Sequence, residues 1–339
     1  MVLEFREAGI YCPAADIYID PWKRVPRALI THGHSDHARW GMGSYMATHA
    51  AAPVIRHRLG DVSMQTTDYG VTHRIGDADI SFHPAGHVPG SAQIRVEVGG
   101  EVWVVSGDYK TIDDGLSEAF EPVRCHTFIT ESTFGLPIYD WPDQETLARD
   151  LNAWWAGCVA DGKRAVLGVY ALGKAQRIMR LLDPVIGPIL THGAVEGTNS
   201  VLRAQGLTLP ATVPVIDGVD GKSHPNAIVL APPSALGSAW MKRFGAVSTG
   251  FASGWMRLRG VRRRRAADRG FVVSDHADWK GLNWAIGETG AERVFVTHGY
   301  TAQFSAWLAE QGYDAGIVQT EFGGESLDED TEEAQVVDA

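Results

Sequence analysis

The 339-residue chain contains only three cysteines, Cys12, Cys125 and Cys158. They are far apart and odd in number, which excludes a disulfide framework and a CxxC metal clip and fits a reducing cytoplasm. Long apolar runs are missing too. None approaches the ~18–20 residues needed to cross a bilayer, and the opening Met1-Val2-Leu3-Glu4-Phe5-Arg6-Glu7 has no basic or apolar signal segment. The expected setting is cytoplasmic, with no membrane role. Positive charge is also in deficit: 41 acidic against 30 basic side chains give −11. Taken over the whole chain, that balance argues against a phosphate-rich partner. The deficit is concentrated at one end, however. Residues 321–339 hold eight acids and no lysine or arginine, leaving 33 acids against 30 bases in residues 1–320. Residues 326–339 therefore read as an acidic disordered tail on a nearly neutral body. A body of this length buries a core without staples, so a metal site within it is expected to be catalytic.

The first 135 residues alternate short β-type runs with Gly, Pro and Asp. Ile17–Ile19, Ala28–Thr31, Gln93–Val98, Val102–Val105 and Thr127–Thr130 read as strands, and the alternation of Gln93–Val98 fits a half-exposed antiparallel one. From about residue 143 the pattern changes. Gln144–Val159 has helical spacing, Ala165–Val169 is a short apolar run, and Gly173–Leu182 is helical again. Strand followed by helix predicts parallel α/β organisation. Strand signals return at Phe271–Ser274 and Val294–Thr297.

The segment Thr31-His32-Gly33-His34-Ser35-Asp36-His37 packs four possible metal ligands into six positions directly after a predicted strand. Two residues apart on extended backbone, His32 and His34 project to the same side and can share one ion; Asp36 and His37, past the bend, can address a second. Imidazole and carboxylate suit zinc, and carboxylate also accepts manganese or iron. His87, Asp108 and His298 each follow a strand or occupy a tight turn among small residues, where a metal and the backbone can approach closely. Singly each would be an ordinary loop residue; beside the first cluster they are candidate ligands. The other seven histidines (His49, His57, His73, His83, His126, His192, His224) are read as ordinary.

At these residues the chain resembles the metallo-β-lactamase superfamily, whose signature is HxHxDH. Glu131-Ser132-Thr133-Phe134-Gly135, Ser274-Asp275-His276-Ala277-Asp278 and His298 look like the three motifs of its β-CASP nucleases. The segment from Ser253 to Trp279 is most similar to bacterial ligase-associated DNA exonucleases. The resemblance covers about residues 1–325. It implies an α/β fold: an αββα sandwich over 1–138 and 269–325, interrupted by a β-CASP domain at 139–268. It implies two divalent ions, zinc or manganese, one on His32, His34, His87 and Asp108, the other on Asp36, His37, Asp108 and His298, with Asp108 bridging. Asp36 thus also counts among the catalytic residues. Asp20 would orient the ligands around the motif turn. A pair of ions ~3.5–4 Å apart would activate a water and neutralise the scissile phosphate. His276, oriented by Glu131, would protonate the leaving oxygen.

The inferred activity is a phosphodiesterase, an exonuclease on single-stranded DNA ends with the 5′ end favoured, acting in DNA repair and functionally associated with a DNA ligase or helicase. Lys174, at a helix start after Gly173, is a candidate phosphate anchor. Arg257, Arg259 and Arg262–Arg265 put six arginines into nine residues, a candidate backbone-tracking patch beside Ser253. A histidine at position 298 is more typical of RNA-acting members, so an RNA-processing nuclease is the alternative. A glyoxalase-II-like thioesterase or a lactonase is the third reading, and it lacks a counterpart to the segment carrying Lys174 and the arginines.

Overall fold

The computed structural model describes residues 1–264 and 267–318. The side chains of Arg262–Arg265 and the acidic tail lie outside the described residues. The chain divides into two compact units. One comprises Met1–Asp140 and the described residues from Asp275 onward; the other is Trp141–Ser274.

The first unit contains two sheets. A six-stranded sheet runs in sequence order from Glu4–Arg6 through Gly9–Cys12, Ile17–Ile19, Arg27–Leu29 and Ser44–Thr48 to Met64–Thr67. A seven-stranded sheet has Thr127–Ser132 near its middle, flanked by Arg293–Gly299 and Glu101–Val105, with Ala92–Val98 and Ala78–Pro84 continuing the latter side. One core cluster takes Ile10, Ile17, Ile19 and Leu29 from the first sheet and Ile80, Phe82, Ile94, Val96, Trp103 and Ile129 from the second. The sheets therefore pack face to face, as alternating inward side chains require. Each outer face has its own apolar cluster. Phe128, Val294 and Val296 meet Leu282, Ile286, Phe304 and Leu308 from helices Trp279–Thr289 and Thr301–Glu310. Ala28, Tyr45 and Ala47 meet Ile55 of helix Ala52–Leu59. This is a helix–sheet–sheet–helix arrangement. Ala92–Val98 is antiparallel to both neighbours. It is more buried than the alternation implied, because Gln93 satisfies its amide on the carbonyls of Pro84 and Glu121.

The second unit is a six-stranded sheet whose pairs are all parallel. Its central strands Arg164–Gly168 and Ile228–Ala231 are near-continuous apolar runs, as burial on both faces demands. Helices Gln144–Ala160 and Lys174–Leu181 supply Leu151, Trp155, Ile178 and Met179 to one face. Asp143 caps the first of these by accepting from the Thr146 amide at 2.7 Å. The strand expected at Phe271–Ser274 instead spans Arg269–Phe271 and pairs in parallel with Val247–Ala252. The second unit runs to Ser274. Among the described residues no helix is long and apolar enough to cross a membrane.

Candidate metal centre

The candidate ligands sit where strands of the first unit end. Glu101–Val105, Thr127–Ser132 and Arg293–Gly299 run parallel, so their carboxyl ends share one edge. Asp108 follows the first of these, while Glu131 and His298 close the other two. The His32–His37 loop leaves strand Arg27–Leu29 of the facing sheet. Local geometry explains the turns. At Glu131/Ser132 the register slips, so Ser132 pairs with Gly299 and His298 stands unpaired. Such a bulge re-aims a side chain. His298 has φ +55 and Gly299 φ +73; a Cβ on Gly299 would lie 2.4 Å from the Ser132 carbonyl oxygen. Gly107 at φ +57 plays a similar part before Asp108, since a Cβ there would meet the Thr31 side chain at 2.7 Å.

Three imidazole nitrogens converge. His34 Nδ1 is 3.2 Å from His32 Nε2 and 3.0 Å from His87 Nε2. Asp108 Oδ2 lies 3.6 Å from His32 Nε2 and 3.8 Å from His87 Nε2. On its other side, Asp108 Oδ2 is 3.4 Å from His37 Nε2, and Asp108 Oδ1 is 3.8 Å from His298 Nδ1. Asp36 Oδ2 lies 3.6 Å from His37 Nε2. The ring nitrogens facing away from the centre are occupied. His87 Nδ1 meets the Asp275 carbonyl at 2.9 Å and His32 Nδ1 meets Thr31 Oγ1 at 3.0 Å. His37 Nδ1 meets Asp20 Oδ2 at 2.7 Å, and Asp20 also accepts from the Thr31 amide and hydroxyl. Each Nε2 is thereby presented inward.

The electrostatics match this crowding. Burial, then the charges of neighbouring histidines, hold His32 and His87 well below the ordinary imidazole range. Burial also works against a charged His37, but Asp108, Asp36 and Asp20 outweigh it and hold that ring well above its ordinary value. Asp108 is held well below the usual carboxylate range: burial opposes ionisation, and His37 and His276 overcome it.

Do these residues fit metal ions? Ligand atoms of His32, His34, His87 and Asp108 all lie within 4.8 Å of one another, as do those of His37, Asp108 and His298. Nitrogens bound tetrahedrally to one zinc lie about 3.3 Å apart, given bonds of about 2.0–2.1 Å. Buried His37 Nε2 and Asp108 Oδ1 make no hydrogen bond among the described residues. Each such orphan costs ~1–3 kcal/mol unless something else satisfies it. The donor set fits divalent cations.

Beside the ligands, His276 Nδ1 lies 2.7 Å from Glu131 Oε2, and Glu131 Oε1 accepts from the Tyr109 amide at 2.8 Å. Both side chains are buried, and the His276 ring centroid is 4.7 Å from that of His87. The sequence reading missed two supports of this centre. The Asp275 carbonyl orients His87 across a separation of 188 residues. Arg58 on helix Ala52–Leu59 donates to the carbonyls of Gly33, within the motif, and Ala38, directly after it. A main-chain acceptor carries no residue signature, and an arginine in a helix's last turn reads as ordinary capping.

The four candidate substrate-binding residues lie in the second unit. Lys174 is buried rather than solvated, with Nζ 4.3 Å from the Tyr170 ring centroid. Buried Ser253 caps the short helix Gly254–Arg257 by accepting from the Trp255 amide at 3.3 Å. Arg257 and Arg259 are exposed.

No family model matches the chain. Similarity to individual proteins is extensive. The chain is 28% identical over 313 residues to a "Probable DNA ligase" of Opitutus terrae, covering 91% of this chain and 30% of that protein. It is 26% identical to an "RNase J-like protein" of Methanocaldococcus jannaschii over 53% of this chain and 50% of that one. It is 34% identical to "Endoribonuclease ysh-1" of Neurospora crassa over 37% of this chain and 15% of that one. The chain thus spans half or less of each relative's length. A solved structure from Enterococcus faecalis, titled as a protein of unknown function, shares the fold with TM-score 0.57 at 11% identity, covering 86% of this chain and 79% of that one. The histidine motif, the mixed α/β fold and these relatives are consistent with the resemblance to the metallo-β-lactamase superfamily. The relatives' printed nuclease names support a placement near the β-CASP nucleases that the sequence motifs resemble.

Proposed function

We propose that the chain is a metal-dependent phosphodiesterase that degrades single-stranded DNA from its ends, the 5′ end favoured, in DNA repair. The observation that carries this reading is the sharing of one buried carboxylate, Asp108, between two groups of imidazoles beside the His276–Glu131 pair. Two divalent ions, zinc or manganese, would be held, one by His32, His34, His87 and Asp108, the other by Asp36, His37, Asp108 and His298. When bound, they would supply an acidified water and neutralise charge on the scissile phosphate.

The protein's own groups do the rest. Asp20 fixes the His37 ring through Nδ1. Glu131, anchored by the Tyr109 amide, holds His276 through Nδ1. His276 Nε2 is then the proton source for the leaving oxygen. Trp141–Ser274 is read as the inserted β-CASP domain, with Lys174 binding a terminal phosphate and Ser253, Arg257 and Arg259 tracking the strand. The DNA assignment draws on the Opitutus protein, whose printed name is that of a ligase and whose match covers 91% of this chain; on this reading the chain's partners include a DNA ligase or helicase. His298, with the RNase J-like and endoribonuclease relatives, supports RNA as the second reading.

End-labelled single-stranded DNA and RNA, with and without 5′ phosphate, are incubated with the protein in zinc or manganese and the products resolved. Stepwise shortening of DNA is expected. Cleavage of neither polymer, together with thioester hydrolysis, would overturn the reading.

A further inference from the structure

The loop carrying the histidine motif emerges at a large exposed ring. Three residues past His37, Trp40 is 64% exposed. The Arg24 guanidinium lies against it, with Cζ 5.2 Å from the ring centroid. Arg24 is itself exposed, and no carboxylate among the described residues pairs with it. Gly41 makes room for this stack, since a Cβ there would lie 2.9 Å from Arg24 Nε. Two residues before Arg24, Trp22 lines a small cavity together with Asp36, His37 and His298. Trp40 and Arg24 are thus each within three residues along the chain of a side chain that lines this cavity. Chain length alone keeps Trp40 within about 11 Å of His37.

We propose that Trp40 and Arg24 form a stacking platform that holds one base and an adjacent phosphate of a single-stranded nucleic acid as the strand leaves the metal centre. The proposal rests on the phosphodiesterase reading and adds to it a residue pair outside the inserted unit. Both parts have matching chemistry. An exposed indole face accepts any base, so it suits a strand cut without regard to sequence. An unpaired guanidinium is the complement of a phosphodiester, and its place over the ring pre-orients it. A protein partner would more naturally meet a wider apolar patch, and here the exposed ring is capped by a cation.

The test uses the zinc-loaded full chain and fluorescent single-stranded DNA and RNA of about 12 nucleotides, with phosphorothioate linkages that resist cleavage. Binding is read by anisotropy across a salt series, and thermal melts verify that each variant is folded. Trp40→Ala is expected to weaken binding about tenfold and Trp40→Phe much less. Arg24→Gln is expected to reduce the slope of log affinity against log salt by about 0.7. If Trp40→Ala and Arg24→Gln bind both oligonucleotides as the native protein does, or the native protein binds neither, the platform is wrong. The underlying reading fails separately: binding that depends on Trp40, without hydrolysis of unprotected DNA or RNA, would leave the platform and remove the phosphodiesterase.

Discussion

The two units treat charge drawn out of solvent in opposite ways, partly buried in the second and fully buried in the first. In the second, Glu196 accepts from the hydroxyls of Thr191 and Thr212 at 2.7 Å each, from Asn199 at 3.3 Å and from Arg203 at 2.8 Å. Asn199 in turn accepts from Gln176, whose own oxygen takes the Gly173 amide. Every charge and dipole in that network is answered by the protein. In the metal centre of the first unit, imidazole nitrogens face one another across about 3 Å, and His37 Nε2 and Asp108 Oδ1 are buried with no hydrogen-bond partner among the described residues. Native stability is only about 5–15 kcal/mol, so this arrangement makes sense when cations occupy it. A closed network signals architecture, whereas polar groups aimed at a common point signal a ligand.

The sharpest way to break the contrast is Asp108→Ala. Because Asp108 belongs to both ligand groups, we expect metal content by mass spectrometry to fall further than in His34→Ala or His298→Ala, with affinity reduced more than ~100-fold. Asp20→Asn, which only orients His37, should cost about 10–100-fold. Equal losses in all four variants would argue against a shared carboxylate. Next in size, His276→Ala should lower turnover by about 10²–10⁴-fold while both ions stay bound. Metal loss in that variant would reassign His276 as a ligand, a role its closeness to Asp108 and Glu131 also permits. The smallest effect belongs to the closed network. Burial alone would raise the Glu196 carboxyl, but its hydrogen bonds and Arg203 hold it below the ordinary range. A depressed carboxylate stabilises the fold above its unfolded pKa and loses that contribution as pH falls through the folded one. Glu196→Gln should therefore cost ~1–3 kcal/mol at neutral pH, with the gap from the native protein closing in acid. A gap in melting temperature that stays constant with pH would show that ionisation of Glu196 does not matter.

What the sequence revealed of this site depended on how local each signal is. His32, His34, Asp36 and His37 were legible because a single turn holds them all. His87, Asp108 and His298 could be picked out because small residues with permissive backbone surround each. Glu131 and His276, 145 residues apart, emerged only through motif resemblance. The contributions of the Asp275 carbonyl and Arg58 stayed hidden, since nothing in composition or periodicity marks an acceptor or donor used at long range. In the fold, the central strands and long helices were legible from periodicity. The short strands Glu4–Arg6 and Gly9–Cys12 were not, because three or four residues carry too little pattern. Arg269–Phe271 was displaced because an edge strand of the second unit leads directly into the first.

The pairing of Thr127–Ser132 with Arg293–Gly299 also has a cost in time. Ser132 and His298 are separated by 166 residues. At synthesis rates of roughly 5–20 residues per second, the later strand follows the earlier by about 8–30 s. Throughout that interval an edge whose six residues are all buried in the finished protein waits without its neighbour, open to any other unpaired strand. Between the translation of residue 132 and that of residue 299, a newly made chain thus carries one strand edge that only a later segment can cover.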